Sequence, residues 1–232
     1  MKRALRSAYV SLLRGGRRVL SVTGTLGWLE RREGRVARWF RSLFAIYDID
    51  DLVSLDMPWW TFDAIDAVDL YLAGKSGARV FEWGSGASTV WLAKRVGEVI
   101  SVEHDGDWAD LVAPRIFGFD HVTLIRVAAQ KQGQISSGKF GFEGLYFDDY
   151  VSAIRDVPGK FDLIVIDGRA REACLDEALA RLAPGGRILF DDFKRARYRA
   201  AVSGRGLHVQ TLDGLAACLP LPDSTALVSY PN

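Results

Sequence analysis

Three observations predict an α/β fold built on a mostly parallel sheet. From residue 79 onward, short apolar runs alternate with segments of helical period, the pattern of strands joined by crossover helices. Residues 163–166 are apolar without alternation, as in a strand covered on both faces. The run at 80–83 feeds a turn, Gly84-Ser85-Gly86, ahead of Ser88 and Thr89, and an acid, Glu103, ends the next run.

The elements follow in order. Residues 1–46 form a basic arm: up to position 41 they carry eleven Lys and Arg against Glu30 and Glu33, in a chain whose net charge is only +1. Trp28, Leu29, Trp39, Phe40 and Leu43 are interleaved with those charges. Such an arm can lie on an anionic membrane surface or on nucleic acid. The favoured reading is a helical extension docked on the domain or on a second copy in a homo-oligomer, because its apolar positions are sparse and broken by glycines. Its apolar run at 19–29 falls short of a bilayer span, and no secretory cleavage site follows. A cytoplasmic protein is expected, peripheral at the membrane if the arm makes that contact.

The catalytic-size domain occupies 47–232. Residues 47–56 are acidic and extended in character. Thr61 is the expected N-cap of a helix to Leu72, with Phe62, Ile65, Val68 and Leu72 at helical spacing. Trp59 and Trp60 are expected to pack or to rim a pocket. Strands are expected at 80–83, 99–102, 122–127, 163–166 and 187–190, with helices at 88–95, 108–113, 148–155 and 171–182 between them. Two later runs, 207–212 and 225–230, complete seven strands. Residues 128–147, rich in Gly, Gln, Ser and aromatics, exceed an ordinary connection and suit a lid, a substrate loop or surface variation.

Gly84 and Gly86 let the backbone approach a ligand closely, and Glu103 stands where a ribose diol is gripped. A dinucleotide would favour a third glycine at the helix start, where this chain has Ser88. Glu82, preceding the turn, would repel a diphosphate but suits an ammonium and a sulfonium. S-adenosylmethionine carries both.

At this point the chain resembles the class I S-adenosylmethionine-dependent methyltransferases, through Glu82-Trp83-Gly84-Ser85-Gly86, Glu103, the run from Phe161 to Asp167, and Leu182-Ala183-Pro184-Gly185-Gly186, in the family's order. The resemblance covers roughly residues 55 to 230. It implies a Rossmann-like, seven-stranded mixed sheet with helices on both faces and an antiparallel last strand. It also implies that Glu82, Gly84, Ser85, Gly86, Ser88 and Thr89 lie near the methionine moiety, that Glu103 pairs with the ribose hydroxyls, and that His104 approaches the adenosine side.

Asp167 ends the fourth strand and Asp191-Asp192 the fifth, so three carboxylates can converge at one sheet edge. An all-oxygen set of this kind suits Mg²⁺. The arrangement is similar to that of metal-dependent O-methyltransferases of the catechol and macrocin types, which implies Asp167, Asp191 and Asp192 as metal ligands and Asp167 at the catalytic centre. The alternative is that Asp191 or Asp192 caps a helix through Tyr198 and Asp167 merely borders the pocket. Arg169 and Arg171 can hold an acidic substrate group or pair with these carboxylates.

Two cysteines, Cys174 and Cys218, are too few for a disulfide framework and lack metal-ligand spacing. The expected activity is methyl transfer to a hydroxyl of a small molecule or of a glycan. Alternatives are an RNA or protein methyltransferase, or a non-catalytic cofactor-binding interaction domain. Nucleic acid is disfavoured, since no Asn-Pro-Pro-Tyr-like motif follows the fourth strand.

Overall fold

Alternation along the strands decides how the core divides. The computed structural model describes residues 2–32 and 34–231. In chain order the elements are α1 (Lys2–Val22), α2 (Thr25–Glu30), α3 (Arg35–Leu43), α4 (Ile49–Ser54), α5 (Phe62–Leu72), β1 (Arg79–Trp83), α6 (Ala87–Ala93), β2 (Glu98–Glu103), α7 (Gly106–Ile116) and β3 (Val122–Arg126). Then come α8 (Asp148–Ser152) with a 3₁₀ turn (Ala153–Asp156), β4 (Phe161–Ile166), α9 (Arg171–Arg181), β5 (Leu182–Phe190), α10 (Ala196–Val202), β6 (His208–Gly214) and β7 (Asp223–Ser229). The sheet order is β3-β2-β1-β4-β5-β7-β6, with β7 antiparallel to both of its neighbours.

Successive side chains of a strand point to opposite faces. Val80, Val99, Leu163, Val165 and Leu189 therefore face α5, α6 and the arm, whereas Phe81, Trp83, Ile164, Ile166 and Phe190 face α8, α9 and α10. The central strands are buried on both sides, which is why their sequences read as nearly unbroken apolar runs.

The arm is part of this core. Tyr9, Val10, Leu13 and Trp39 pack against the first face, and Trp39 Nε1 donates to the Leu219 carbonyl at 2.8 Å. Arg41 is buried and donates to both Asp51 oxygens, at 2.8 and 2.5 Å, while its Nε reaches Glu30 at 2.9 Å. Arg17 pairs with Asp48 and Asp51, and Arg35 with Asp63 and Asp66. Among the described residues, Arg17, Arg35 and Arg41 of the arm are thus paired with acids of the domain. Among the described residues, no helix is long and apolar enough to cross a membrane.

Two local expectations are corrected. The acidic segment 47–56 contains a helix, α4, because Asp48 caps it by accepting from Asp51 N–H and Asp50 and Asp51 sit favourably in its first turn. The Pro184-Gly185-Gly186 segment lies inside β5 instead of ending the preceding helix as a free turn, and the β4–β5 register shifts there, between Phe161 and Leu163.

Candidate active site

The parallel register brings the working residues to one edge. Trp83 pairs with Val102 and with Ile166, and Ile166 with Phe190, so the residues that follow these strand ends emerge side by side. Gly84, Glu103, Asp167 and Asp191 accordingly line one cavity of about 760 Å³. Tyr9, Ile46, Tyr47, Ile49, Leu52 and Trp59, from the arm and the segment after it, line the same cavity.

The turn after β1 is fixed by close packing. Gly84 has φ +99°, and a Cβ there would lie 2.8 Å from the Gly168 backbone, so the β1 and β4 loops touch where neither has a side chain. Beneath the turn, the carboxylate of Glu82 is 0% exposed and accepts hydroxyls from Ser88 at 2.5 Å, Thr89 at 2.5 Å and Ser101 at 2.6 Å. Thr89 in turn accepts Gly86 N–H at 2.9 Å, and Ser85 and Ser101 share a 2.7 Å hydrogen bond. Burial raises the Glu82 pKa from 4.5 to about 7 against the opposing pull of these hydroxyls.

Glu82, in phase with Val80 on β1, turns toward α6, and together with Thr89 of that helix it supports the turn from below; neither is among the residues that line the cavity. Gly84, Ser85, Gly86 and Ser88 do line the cavity.

Glu103 is held just as firmly but opens to the cavity. Its Oε1 accepts from the N–H groups of His104 and Asp105, each at 2.8 Å, and its Oε2 from Ser85 N–H at 3.1 Å. Oε2 carries only the Ser85 N–H, so it keeps a lone-pair site for a hydroxyl donor. His104 lies among the rings of Phe142, Phe147 and Tyr150, with its Nδ1 2.6 Å from Glu103 Oε1. Asp105 caps α7, and Trp108 of that helix ties the turn down by donating to Ser85 O at 2.7 Å.

Asp167, Asp191 and Asp192 converge as their strand ends suggest, but on an arginine. The Arg171 guanidinium stands 2.8 Å from Asp167, 3.6 Å from Asp191 and 3.2 Å from Asp192. Arg195 adds a second contact to Asp192 at 2.8 Å, and Thr225 donates to Asp191 at 2.9 Å. The acids expected to hold Mg²⁺ are thus paired with a buried guanidinium, and a divalent ion between them would meet that charge at contact distance. Among the described residues no cluster of His, Cys, Asp or Glu forms a metal cage. Neither Asp191 nor Asp192 caps α10, whose N-cap is Arg195 without a side-chain bond.

One cation cannot satisfy three carboxylates. Burial raises the Asp167 pKa to about 6, with Arg171 pulling it down and Asp192 pushing it up. Asp191 rises further, by burial and by the facing Asp167. Two carboxyls that hold their protons more tightly than free acids therefore sit on the cavity wall. Cys174 is buried in α9, its thiol pushed up by burial, and Cys218 likewise packs in the interior.

The residues that the sequence reading missed are those of the arm. Tyr9 lies far from the motifs along the chain, and only the docking of α1 brings it to the cavity. Arg195, Arg197 and Tyr198 also line the wall.

Comparison with known proteins agrees with this layout. Residues 81–193, from the strand before the glycine turn to the acidic end of β5, match the family described as "Methyltransferase domain". No curated protein sequence matches the chain significantly. Among solved structures, an O-methyltransferase from Bacillus cereus in complex with SAH superposes with a TM-score of 0.57 at 18% identity, covering 81% of this chain and 89% of that one. An rRNA methylase from Streptococcus thermophilus gives 0.53 at 16% identity, covering 72% and 96%. At such identities the likeness is one of fold. Residues 81–193, with the glycine turn and the acidic strand ends, thus form a methyltransferase domain on this sheet, and the enzyme is an S-adenosylmethionine-dependent methyltransferase.

Proposed function

We propose that the enzyme methylates a hydroxyl group of a small molecule, with Asp167 as the proton acceptor. The observation that carries this reading is the position of Asp167, on the cavity wall beside the Gly84–Gly168 contact and fixed 2.8 Å from Arg171.

The residues present fit the cofactor. The turn at Gly84 to Gly86 has no side chain to obstruct a ligand, and Glu103 is fixed by three N–H groups with acceptor capacity to spare. Gly84, Ser85, Gly86 and Ser88 would hold the methionine portion, and Glu103 the ribose, with His104 on the nucleoside side. Bound there, S-adenosylmethionine supplies a methyl group made electrophilic by its sulfonium.

The protein's own task is alignment and proton removal. A hydroxyl oxygen becomes a better nucleophile as its proton moves to a carboxylate, and Asp167 is ionised at neutral pH yet basic enough to receive it. Arg171 keeps that carboxylate oriented toward the cavity by a 2.8 Å contact. The acceptor would lie between this wall and the aromatic wall of Tyr9, Tyr47 and Trp59. A cavity roofed by the arm suits a small molecule or a terminal sugar better than a folded RNA.

The test uses isothermal titration and product analysis together. Asp167→Asn should keep S-adenosylmethionine affinity within about threefold and lower S-adenosylhomocysteine formation by about 10² or more. Glu103→Ala should weaken cofactor binding at least about tenfold. Full turnover in Asp167→Asn with a hydroxyl acceptor would reject Asp167 as the base.

A further inference from the structure

Four arginines line the same wall of the cavity, and three of them are matched by acids. Arg171 is surrounded by Asp167, Asp191 and Asp192, Arg195 pairs with Asp192, and Arg197 reaches Glu172 at 3.2 Å. Arg169 differs. It forms no ion pair among the described residues; its guanidinium donates to the carbonyl of its neighbour Gly168 at 3.1 Å and lies 5.2 Å from the Phe142 ring centroid. Its Nε is shut off from solvent and has no hydrogen-bond partner.

An arginine drawn out of water without a counter-charge is unfavourable, and its side chain could otherwise snorkel to solvent. The loop places it in the cavity nonetheless, because Arg169 follows Gly168 at the end of β4 and α9 begins two residues later. Backbone geometry reinforces this placement: Ala170 is held at φ +50° between Arg169 and the helix. Burial and the neighbouring Arg171 lower the pKa of Arg169, the signature of a cation short of negative charge.

We infer that Arg169 is an anion-recognition residue and that the methyl acceptor carries a carboxylate or phosphate which pairs with it. The inference rests on the proposed hydroxyl-methylating reading and adds the acceptor's charge class. A planar guanidinium suits either group through paired N–H donors. Arg169 is also close enough to Glu103 to feel its charge, so the same chemistry could be met by the carboxylate of the cofactor. The experiment separates the two sources.

The full-length chain, saturated with S-adenosylhomocysteine, is titrated with inorganic phosphate and followed by thermal melting, as wild type, Arg169→Met and Arg169→Lys. Saturable stabilisation of the wild type, weakened at least about tenfold in apparent affinity in Arg169→Met and partly restored in Arg169→Lys, supports the proposal. Equal phosphate response in wild type and Arg169→Met, or no response in either, overturns it.

Calorimetry with S-adenosylmethionine and with its decarboxylated analogue forms the second arm. If Arg169→Met loses affinity for the former but not the latter, the anion belongs to the cofactor and the acceptor assignment falls. A wild type that binds neither would instead undercut the methyltransferase reading itself. Without ligand, Arg169→Met should melt no lower than wild type, since no ion pair is removed. A fall of several degrees would reveal a structural partner and overturn the inference.

Discussion

Replacing Glu82 with Gln should flatten the pH dependence of stability without disturbing the cavity. In the folded chain Glu82 ionises near pH 7, against 4.5 when exposed, because its carboxyl is sealed under the glycine turn. A folded pKa above the unfolded one means that the unfolded chain gives up its proton first as pH rises. The contribution of Glu82 is therefore fully present below about pH 4.5 and is lost as pH passes through about 7. A shift from 4.5 to about 7, at about 1.4 kcal/mol per pH unit, makes the loss about 3 kcal/mol. Glutamine keeps an acceptor for the hydroxyls of Ser88, Thr89 and Ser101, any of which can rotate to accept from its amide.

Urea unfolding of wild type and Glu82→Gln at several pH values between 4.5 and 8 measures the effect. Stability of the wild type relative to the variant should fall by about 3 kcal/mol across that window, nearly all of it below pH 7.5. A difference independent of pH would refute the reasoning, since it would mean that Glu82 ionises alike in both states. S-adenosylmethionine affinity of Glu82→Gln within about threefold of wild type at pH 8 would agree with a carboxylate beneath the turn; a loss of 10² with unchanged stability would place it against the ligand.

Other expectations concern the acids, the turn and the arm. Turnover should rise with pH through about 6, as Asp167 loses its proton and becomes able to accept one, and a pH-rate profile flat from 5 to 8 would contradict that role. Excess chelator should leave turnover unchanged, because Arg171 occupies the space between the three acids; abolition restored by Mg²⁺ would show that a metal ion serves there instead. Gly84→Ala should lower stability by about 2 kcal/mol or more and weaken cofactor binding, as its methyl would meet the Gly168 backbone at φ +99°; calorimetry and thermal melting read both. Arg41→Ala should cost about 3 kcal/mol in urea unfolding, since it leaves the buried Asp51 with only the more exposed Arg17 beside it, whereas removal of a surface ion pair costs under about 1.

The sheet was legible because strand burial on both faces leaves an unmistakable apolar run, and the glycine turn because Gly84 and Gly86 precede hydroxyl residues at a helix start. Convergence of Asp167 with Asp191 and Asp192 was equally readable from strand ends. Their pairing with an arginine was legible as one of two roles open to Arg171, which stands four residues after Asp167, a spacing at which opposite charges meet across a helix start. The direction of Glu82 was also within reach: it shares a parity with Val80, and that face of β1 meets helices. Helix α4 escaped notice because its acids resemble a solvated loop until Asp48 is recognised as a cap. Beyond reach were the arm's contributions, since no local pattern tells which distant surface a helix covers.

The mixed origin of the cavity lining has a practical consequence for altering this enzyme. The proposed donor site lies on the loops after β1 and β2, while Tyr9, Tyr47 and Trp59 reach the same cavity from α1 and the segment after the arm. Compound selectivity can thus be retuned at Tyr9 or Trp59 by swaps of side-chain size, independently of the glycine turn that serves every substrate alike.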